Sequence, residues 1–203
     1  MASPLKFNSV SSYVLLLVIT FFIPNKGKTN ELELTPYIGS MFSSDLQSVN
    51  SENRLNVSDD LHFGLALAWQ ESKTGQGQIL INYVSHQITD DRGEHDKFDL
   101  VYAHFSGVGH YGKSGYITTL GLGIGTSYMK SSFDDGFYPS STIAIGTRYL
   151  ISKELTFVTE IRAYATLIKE EDNLFCDNSE CLAVFEGAIW LDTSISIGLA
   201  YKF

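Results

Sequence analysis

Apolar residues alternate with small or polar residues along most of the chain after Glu33, and this two-residue period constrains the fold more than any other feature. The last ten residues, SISIGLAYKF, show the pattern clearly. Ile, Leu, Tyr and Phe share one side of an extended strand, while Ser, Gly, Ala and Lys share the other. The mature chain has no convincing 3.6-residue apolar stripe, so the sequence predicts an all-β protein.

Eight segments follow this alternation, although the third and fourth do so less cleanly and their faces are not assigned. An even number of strands is the rule in single-chain bacterial barrels. In the segment YITTLGLGIGTSYM, Leu120, Leu122 and Ile124 share a face that has a tyrosine at each end. An apolar face bounded by aromatic residues is typical of a strand that crosses a bilayer between two interfaces. The predicted strands are residues 32–42, 60–70, 78–89, 97–107, 115–130, 140–151, 154–168 and 188–203.

The connections between the predicted strands fall into two classes. Those after the second, fourth and sixth strands are short, whereas the others include long ones near residues 43–59 and 169–187 and hold most of the acidic residues. Short turns at one end and long loops at the other are typical of outer-membrane barrels, whose short turns are periplasmic. The predicted fold is therefore all-β, an eight-stranded antiparallel up-and-down transmembrane β-barrel.

A soluble β-sandwich or lipocalin-like barrel would instead turn the apolar residues inward. The face opposite the apolar one is rich in Gly, Ala, Ser and Thr, and it also carries charged residues, which suits a narrow polar lumen. We predict that Arg148, Glu160, Arg162 and Asp192 form an ion-pair network in this lumen. A narrow gated ion path is the alternative function of these four residues, although an eight-stranded barrel is just wide enough for its own side chains.

The first residues have the pattern of a secretory signal peptide. Lys6 precedes an apolar run over residues 13–23, which ends at Pro24. Eleven helical residues rise only about 16 Å, too little for the ~30 Å hydrocarbon core of a bilayer. We therefore predict a signal peptide over residues 1–29, with an uncertain cleavage site between 27 and 30, and a barrel domain over residues 30–203.

The formal net charge of −9 argues against a nucleic-acid partner, which would require a basic surface. The two cysteines, Cys176 and Cys181, lie close together in FCDNSEC, and in an oxidising compartment they are predicted to form a disulfide. A zinc site would need two further ligands that the segment does not offer.

The acidic segment TDDRGEHD raises the question of a metal site, because Asp90, Asp91, Glu94 and Asp96 carry suitable oxygen ligands. Their spacing is not that of an EF-hand loop, so a solvated surface is the simpler interpretation. A further alternative is that these carboxylates share divalent cations with lipopolysaccharide phosphates. No cofactor and no resident metal are expected.

The terminal strand, which ends in Tyr201-Lys-Phe203, resembles the C-terminal signal that outer-membrane proteins present to the barrel assembly machinery. The residues from TEIRAYATLIKEED to the end, together with DLVYAHFSG, are similar to small gammaproteobacterial outer-membrane barrels related to the OmpA-like and OmpW-like barrel domains. The resemblance implies a monomer in the outer membrane of a Gram-negative cell, in contact with lipid and lipopolysaccharide. It also implies that Tyr201 and Phe203 belong to the assembly signal.

His104 and Ser106 are two residues apart on one predicted strand, and a similar His-x-Ser pair occurs in the outer-membrane lipid A deacylases. A base beside a hydroxyl is what acyl transfer needs. The pair is predicted to lie just before the short turn at GVGHYG, on the periplasmic side, whereas lipid A lies in the outer leaflet. No catalytic residue is therefore assigned. We expect a structural or surface-interaction role for the loops, with a narrow solute channel or a lipid-modifying enzyme as alternatives.

Overall fold

The computed structural model describes residues 31–48, 54–89, 95–113, 115–168, 174–176, 183–184 and 188–203. The predicted signal peptide, residues 1–29, lies outside this part of the chain. In the described residues no helix is long and apolar enough to span a membrane.

Eleven β-strands run through the described residues, eight of them long and three short. The long strands are β1 Leu32–Ser43, β4 Asp60–Ser72, β5 Gly75–Thr89, β6 His95–Lys113, β7 Tyr116–Lys130, β8 Asp135–Leu150, β9 Leu155–Leu167 and β11 Ile189–Lys202. The short strands are β2 Leu46–Ser48, β3 Arg54–Val57 and β10 Ala183–Val184.

The eight long strands form a closed antiparallel barrel. Each pairs with its neighbours along the chain, and β1 closes the ring by pairing with β11, where Leu34 lies opposite Tyr201 and Ser43 opposite Asp192. Closure gives each long strand of the described chain a partner on both sides, as a barrel surrounded by lipid requires. The predicted eight-stranded up-and-down barrel is confirmed.

Two predicted turns are parts of strands. The residues GVGHYG continue β6, and Gly109 pairs with Gly75 on one side and Leu120 on the other. Likewise, most of residues 71–77, which connect the second and third predicted strands, belong to β4 and β5, whose connection is only two residues long. Glycine is a turn signal in a sequence, but here Gly107 and Gly109 pair within β6, as does Gly112 with a positive φ of +147°. The turn after β6 lies at Gly115, whose φ of +97° favours glycine.

The three short strands extend the sheet at the long-loop end of the barrel. Strand β3 pairs with the end of β5, β2 pairs with β3, and β10 pairs with β2. None of them was predicted, because two to four residues are too few to establish an alternation. They form a small rim above the barrel wall.

Side chains sort to two faces as the alternation predicted. On β4, Leu61, Phe63 and Leu65 are exposed outside the barrel, whereas His62 and Ala66 are buried in the lumen. Large apolar side chains cover the outer wall on the other strands too, a surface that requires lipid around it.

The lumen is filled by side chains of different character along the barrel. Its long-loop end is an apolar core that includes Phe98, Leu100, Met129 and Trp190. Polar and charged residues fill the middle, and a second apolar cluster around Leu80 and Val158 lies towards the other end. In outer-membrane barrels the long-loop end is extracellular and the short-turn end is periplasmic.

Candidate functional site

Arg162 lies at the centre of the lumen and is almost completely buried. Its Nε donates to Glu160 Oε1 at 2.8 Å, so two of the four predicted lumen residues form an ion pair. The two Nη groups make longer hydrogen bonds of 3.4 Å, to Thr142 Oγ1 and to Gln78 Oε1. One arginine thus joins β9 to β8 and, across the lumen, to β5.

Arg148 pairs with Glu33, which is not among the four predicted lumen residues. Its Nη2 donates to Glu33 Oε2, and both side chains are largely buried near the periplasmic end. Glu33 falls on the lumen side of the first strand, in phase with Thr35 and Tyr37. Its position in the alternation was therefore the signal that could have identified it.

Asp192 has no arginine or lysine partner in the described residues. Its Oδ2 accepts hydrogen bonds from the Tyr102 hydroxyl and, at 2.8 Å, from Trp190 Nε1. Its Oδ1 has no hydrogen-bond partner in the same part of the chain, although the side chain is buried. The four predicted residues thus lie in three places in the lumen: the Arg162–Glu160 pair, the Arg148–Glu33 pair and this hydrogen-bonded carboxylate.

A layer of aromatic and polar side chains crosses the middle of the lumen. The rings of Tyr102 and Tyr164 stack with their centroids 4.2 Å apart. Asn82 Nδ2 donates to the Tyr164 hydroxyl at 2.8 Å, and Asn82 Oδ1 lies 2.8 Å from His62 Nδ1. This layer links β4, β5, β6 and β9 across the lumen.

A serine, a histidine and an aspartate meet at the extracellular end of the lumen. Ser43 Oγ lies 3.0 Å from His86 Nε2, and His86 Nδ1 lies 2.7 Å from the Ser58 carbonyl oxygen. Since a carbonyl only accepts, Nδ1 carries a proton. Asp60 Oδ2 is 3.6 Å from the same nitrogen. Ser43 and His86 are 43 residues apart in the chain, so the alternation within single strands gives no sign that they meet.

Aromatic residues close the extracellular end of the lumen. Phe98 makes edge-to-face contacts with Phe175 and Trp190, with centroid distances of 5.2 and 5.9 Å. Phe175 and Leu174 come from the long connection between β9 and β11 and are buried. Ser131 Oγ donates to the Leu174 carbonyl oxygen, which ties this connection to the β7–β8 loop.

His104 and Ser106 both face the lumen, but the predicted position of His104 beside the short turn is wrong. Strand β6 continues to Lys113, so His104 lies in the middle of the barrel. Its Nε2 is 3.0 Å from Ser140 Oγ, and Ser106 Oγ has no hydrogen-bond partner in the described chain. Both residues are buried, so the pair is not presented to either membrane leaflet.

Other predicted residues fall partly outside the described chain. Cys181, Asp90, Asp91 and Glu94 do, so the disulfide with Cys176 and the acidic cluster stay predictions. Asp96 is described, and its Oδ1 accepts a hydrogen bond from Ser132. In the described ranges, no three His, Cys, Asp or Glu side chains are arranged to hold a metal.

The C-terminal residues lie at the junction that closes the barrel. Phe203 N donates to the Leu32 carbonyl oxygen at 2.9 Å, and the rings of Tyr201 and Phe203 stack at 6.3 Å. Both side chains are exposed on the outer wall. Tyr201 and Phe203 thus form an exposed aromatic pair beside the closing junction.

Two adjacent rows of residues mark the extracellular edge of the lipid-facing wall. Residues that are paired across β5, β6, β7 and β8 form two rows around the barrel. The lower row is mostly aromatic, and the row next to it on the extracellular side is mostly charged. Tyr83 donates to Asp99 at 3.1 Å and Tyr128 to Asp135 at 3.0 Å, so hydroxyls of the lower row point to acids of the upper one. The aromatic row is Tyr83, Val101, Tyr128 and Phe137, and the charged row is Ser85, Asp99, Lys130 and Asp135.

The periplasmic edge is marked by the paired residues Tyr116 and Tyr149. Tyr149 follows Phe137 by twelve residues on β8, which corresponds to about 30 Å along the membrane normal for a strand tilted by roughly 40°. This spacing matches an apolar band ~25 Å tall between two aromatic girdles. The outer wall therefore has the dimensions of a membrane-spanning surface.

A groove interrupts this wall between β6 and β11. It has a volume of about 610 Å³. Small side chains of Ser141, Ala163 and Ala165 form its floor, and larger apolar residues, including Ile124 and Leu191, form its sides. Continuous pairing of β7, β8 and β9 beneath it separates the groove from the lumen.

No protein-family model and no curated protein sequence matches the chain. Solved structures with the same fold include Neisserial surface protein A, with 10% sequence identity and a TM-score of 0.54. The alignment covers 88% of this chain and 100% of that structure. OprG from Pseudomonas aeruginosa covers 87%, with 97% of that structure covered, at 13% identity and a TM-score of 0.57. The outer-membrane protein AlkL covers 89%, with 93% of that structure covered, at 13% identity and a TM-score of 0.56.

These similarities establish a common fold. Each of the three structures is a protein of the outer surface or outer membrane by its description. The outer wall of this chain is apolar over the height of a bilayer. The protein is an eight-stranded β-barrel of the outer membrane.

Proposed function

We propose that the protein is a monomeric barrel with neither a pore nor catalytic activity, and that its extracellular end has a structural or surface-interaction role. The observation that carries this proposal is the filled lumen. Buried side chains occupy it from the Arg148–Glu33 pair, through Arg162 and the stacked tyrosines, to the aromatic contacts of Phe98.

One small cavity lies among the described residues at the centre of the lumen. A cavity among Tyr37, His62, Asn82, Glu160 and Arg162 has a volume of about 10 Å³. A volume of about 10–15 Å³ is what a single water molecule requires. A hydrated ion or a small solute would have to displace the buried ion pair and the aromatic layer, so the filled centre supports a non-conducting barrel.

The extracellular rim supports the surface-interaction role. Strands β5 and β6 stay paired for two residues beyond the Gln87–Lys97 pair, up to Thr89 and His95. Strand β3 pairs with this extension of β5. The rim is thus built from paired backbone that projects beyond the charged row. The long connections that start there are rich in acidic residues, so a partner at this surface would carry positive charge or bring divalent cations.

A serine hydroxyl beside a histidine, as in Ser43 and His86, is an arrangement that hydrolases use. The surroundings of this pair disfavour hydrolysis. Asp192 lies directly opposite Ser43 in the β1–β11 register. A carboxylate beside the hydroxyl would oppose the negative charge that develops on the oxygen of a tetrahedral intermediate. Moreover, His86 is fully buried, which restricts access of an ester.

The assembly signal and the finer family relationship are also part of the proposal. The exposed stack of Tyr201 and Phe203 at the closing junction supports recognition by the barrel assembly machinery. The relationship to OmpA-like or OmpW-like barrel domains in particular rests on the alternating strands and this terminal signature. The Cys176–Cys181 disulfide would restrain the connection that contributes Phe175 to the lumen.

Conductance in planar bilayers tests the filled lumen. We expect no single-channel steps from the wild-type protein. The double variant Tyr102→Ala/Tyr164→Ala removes the stacked pair and is expected to conduct, because two large rings leave the centre of the lumen. Tyr116→Ala/Tyr149→Ala is the matched control, since it removes two tyrosines from the outer wall and should stay silent. Single-channel steps from the wild-type protein, as large as those of the lumen variant, would contradict the proposal.

A further inference from the structure

The groove on the lipid-facing wall lies in the outer half of the membrane. Ser141, on its floor, follows Phe137 of the extracellular aromatic row by four residues, which corresponds to about 10 Å of depth. It precedes the periplasmic Tyr149 by eight residues, or about 20 Å. The groove therefore faces the chains of outer-leaflet lipids near their polar ends.

The groove is a depression between larger residues of two neighbouring rows. Register aligns Ile124, Ser141 and Ala165 in the upper row. In the lower row Ile143 lies beside Ala163. Ile124 is 73% exposed and Ile143 52%, so their side chains project from the wall beside three small ones. A hydrocarbon chain lying between them gains contacts that a flat wall would not provide.

A polar group lies within this apolar groove. The Ser141 side chain is exposed on the outer wall, and its hydroxyl makes no hydrogen bond within the described residues. An unpaired hydroxyl surrounded by hydrocarbon is unfavourable because no water replaces the missing partner. A ligand with a hydroxyl or ester oxygen at this depth would satisfy it.

Two lysines that form no ion pair within the described residues lie above the groove. Lys130 belongs to the charged row on the strand of Ile124, and Lys97 lies on the neighbouring strand two residue pairs above that row. The adjacent Asp99 and Asp135 accept hydrogen bonds from tyrosines, and neither lysine has an ion-pair partner in the described chain. These ammonium groups are thus available to anionic groups of a lipid whose chain occupies the groove.

We propose that this groove binds one acyl chain of a lipopolysaccharide molecule. The chain would lie over Ser141, Ala163 and Ala165, with an oxygen of the chain hydrogen-bonded to the Ser141 hydroxyl and the phosphates near Lys97 and Lys130. The outer-leaflet depth selects lipopolysaccharide over the phospholipids of the inner leaflet. This inference rests on the membrane-embedded barrel and is independent of whether the lumen conducts.

Native mass spectrometry of the folded barrel in detergent tests this proposal. Purified lipopolysaccharide and, separately, phosphatidylglycerol are titrated against the wild-type protein. We expect lipopolysaccharide to be retained at lower concentration than the phospholipid. Ala165→Phe fills the groove, and its affinity for lipopolysaccharide is expected to fall about tenfold. Ser141→Ala removes one hydrogen bond and should weaken binding about threefold to tenfold, whereas Ser141→Thr should retain it.

Matched control variants show whether lipopolysaccharide binds in the groove or anywhere on the outer wall. Ser40 also faces outward, on β1, and β9 and β11 lie between it and β8. Ser40→Ala and Ser40→Phe should bind lipopolysaccharide like the wild type. Lys97→Gln/Lys130→Gln should weaken binding and reduce its dependence on salt. Should Ala165→Phe fail to fold, Ser141→Ala and the lysine variant decide the outcome.

Equal affinity of these groove and lysine variants and the wild type would overturn the proposal. So would equal retention of phosphatidylglycerol and lipopolysaccharide by the wild-type protein. Neither result would bear on conductance, so failure of this inference is distinguishable from failure of the non-conducting lumen.

Discussion

Arg162→Leu is expected to lower the free energy of unfolding by about 3–5 kcal/mol, the usual cost of removing one partner from a buried ion pair. The guanidinium is buried at the centre of the lumen and pairs with Glu160 at 2.8 Å. Leucine would leave the carboxylate buried without a cation and remove the two longer hydrogen bonds to Thr142 and Gln78. Unfolding in urea, followed by fluorescence of the buried Trp190, measures the change.

Two further variants identify the cause of this loss. The double variant Glu160→Leu/Arg162→Leu should recover much of the stability, because it leaves no unpaired charge. Lys202→Leu, which breaks an exposed pair with Glu31, should cost about 1 kcal/mol or less. If Arg162→Leu costs no more than Lys202→Leu, the buried pair is not what stabilises the lumen.

Gly39→Val is expected to prevent closure of the barrel. Gly39 lies on β1 at the junction with β11, opposite Ser196. A Cβ at this position would overlap the Ile195 carbonyl oxygen and approach His62 Nε2 and Ser196 Cα to 2.7 Å. Because the obstruction is largely backbone, the cost should exceed the ~1–3 kcal/mol of an ordinary overpacked core. The fraction of protein that reaches the outer membrane as a heat-modifiable species measures the effect.

Gly107→Val is the matched control for this substitution. Gly107 also lies in a barrel strand, but a Cβ there would meet no atom within 4 Å. The variant should therefore assemble like the wild type. Equal assembly of the Gly39 and Gly107 variants would show that the close approach of β1 and β11 does not limit closure.

The two-residue alternation predicted the barrel and the orientation of most side chains. A slip of one residue would turn every apolar side chain into the lumen, so the pattern specifies strand faces strongly. Thus Leu120, Leu122 and Ile124 are exposed on the outside, and Arg148 and Arg162 are buried in the lumen, as the alternation predicted. The ends of the strands were predicted less well, since glycines such as Gly107 and Gly109 pair normally within β6.

Contacts between lumen residues were harder to predict than their orientation. Which side chains meet across a barrel depends on strand register and stagger, and the alternation within a strand does not set either. Arg148 therefore pairs with Glu33 from the first strand, and not with the predicted acids. Ser43 and His86 meet for the same reason, although 43 residues separate them in the chain.

Heat-modifiable migration of the protein from an outer-membrane fraction tests the closed, membrane-embedded barrel most directly. A closed barrel keeps its backbone hydrogen bonds in detergent at room temperature and unfolds on boiling. We predict that unboiled and boiled samples migrate as two distinct bands. A protein that is recovered in the soluble fraction and migrates identically before and after boiling would contradict the account.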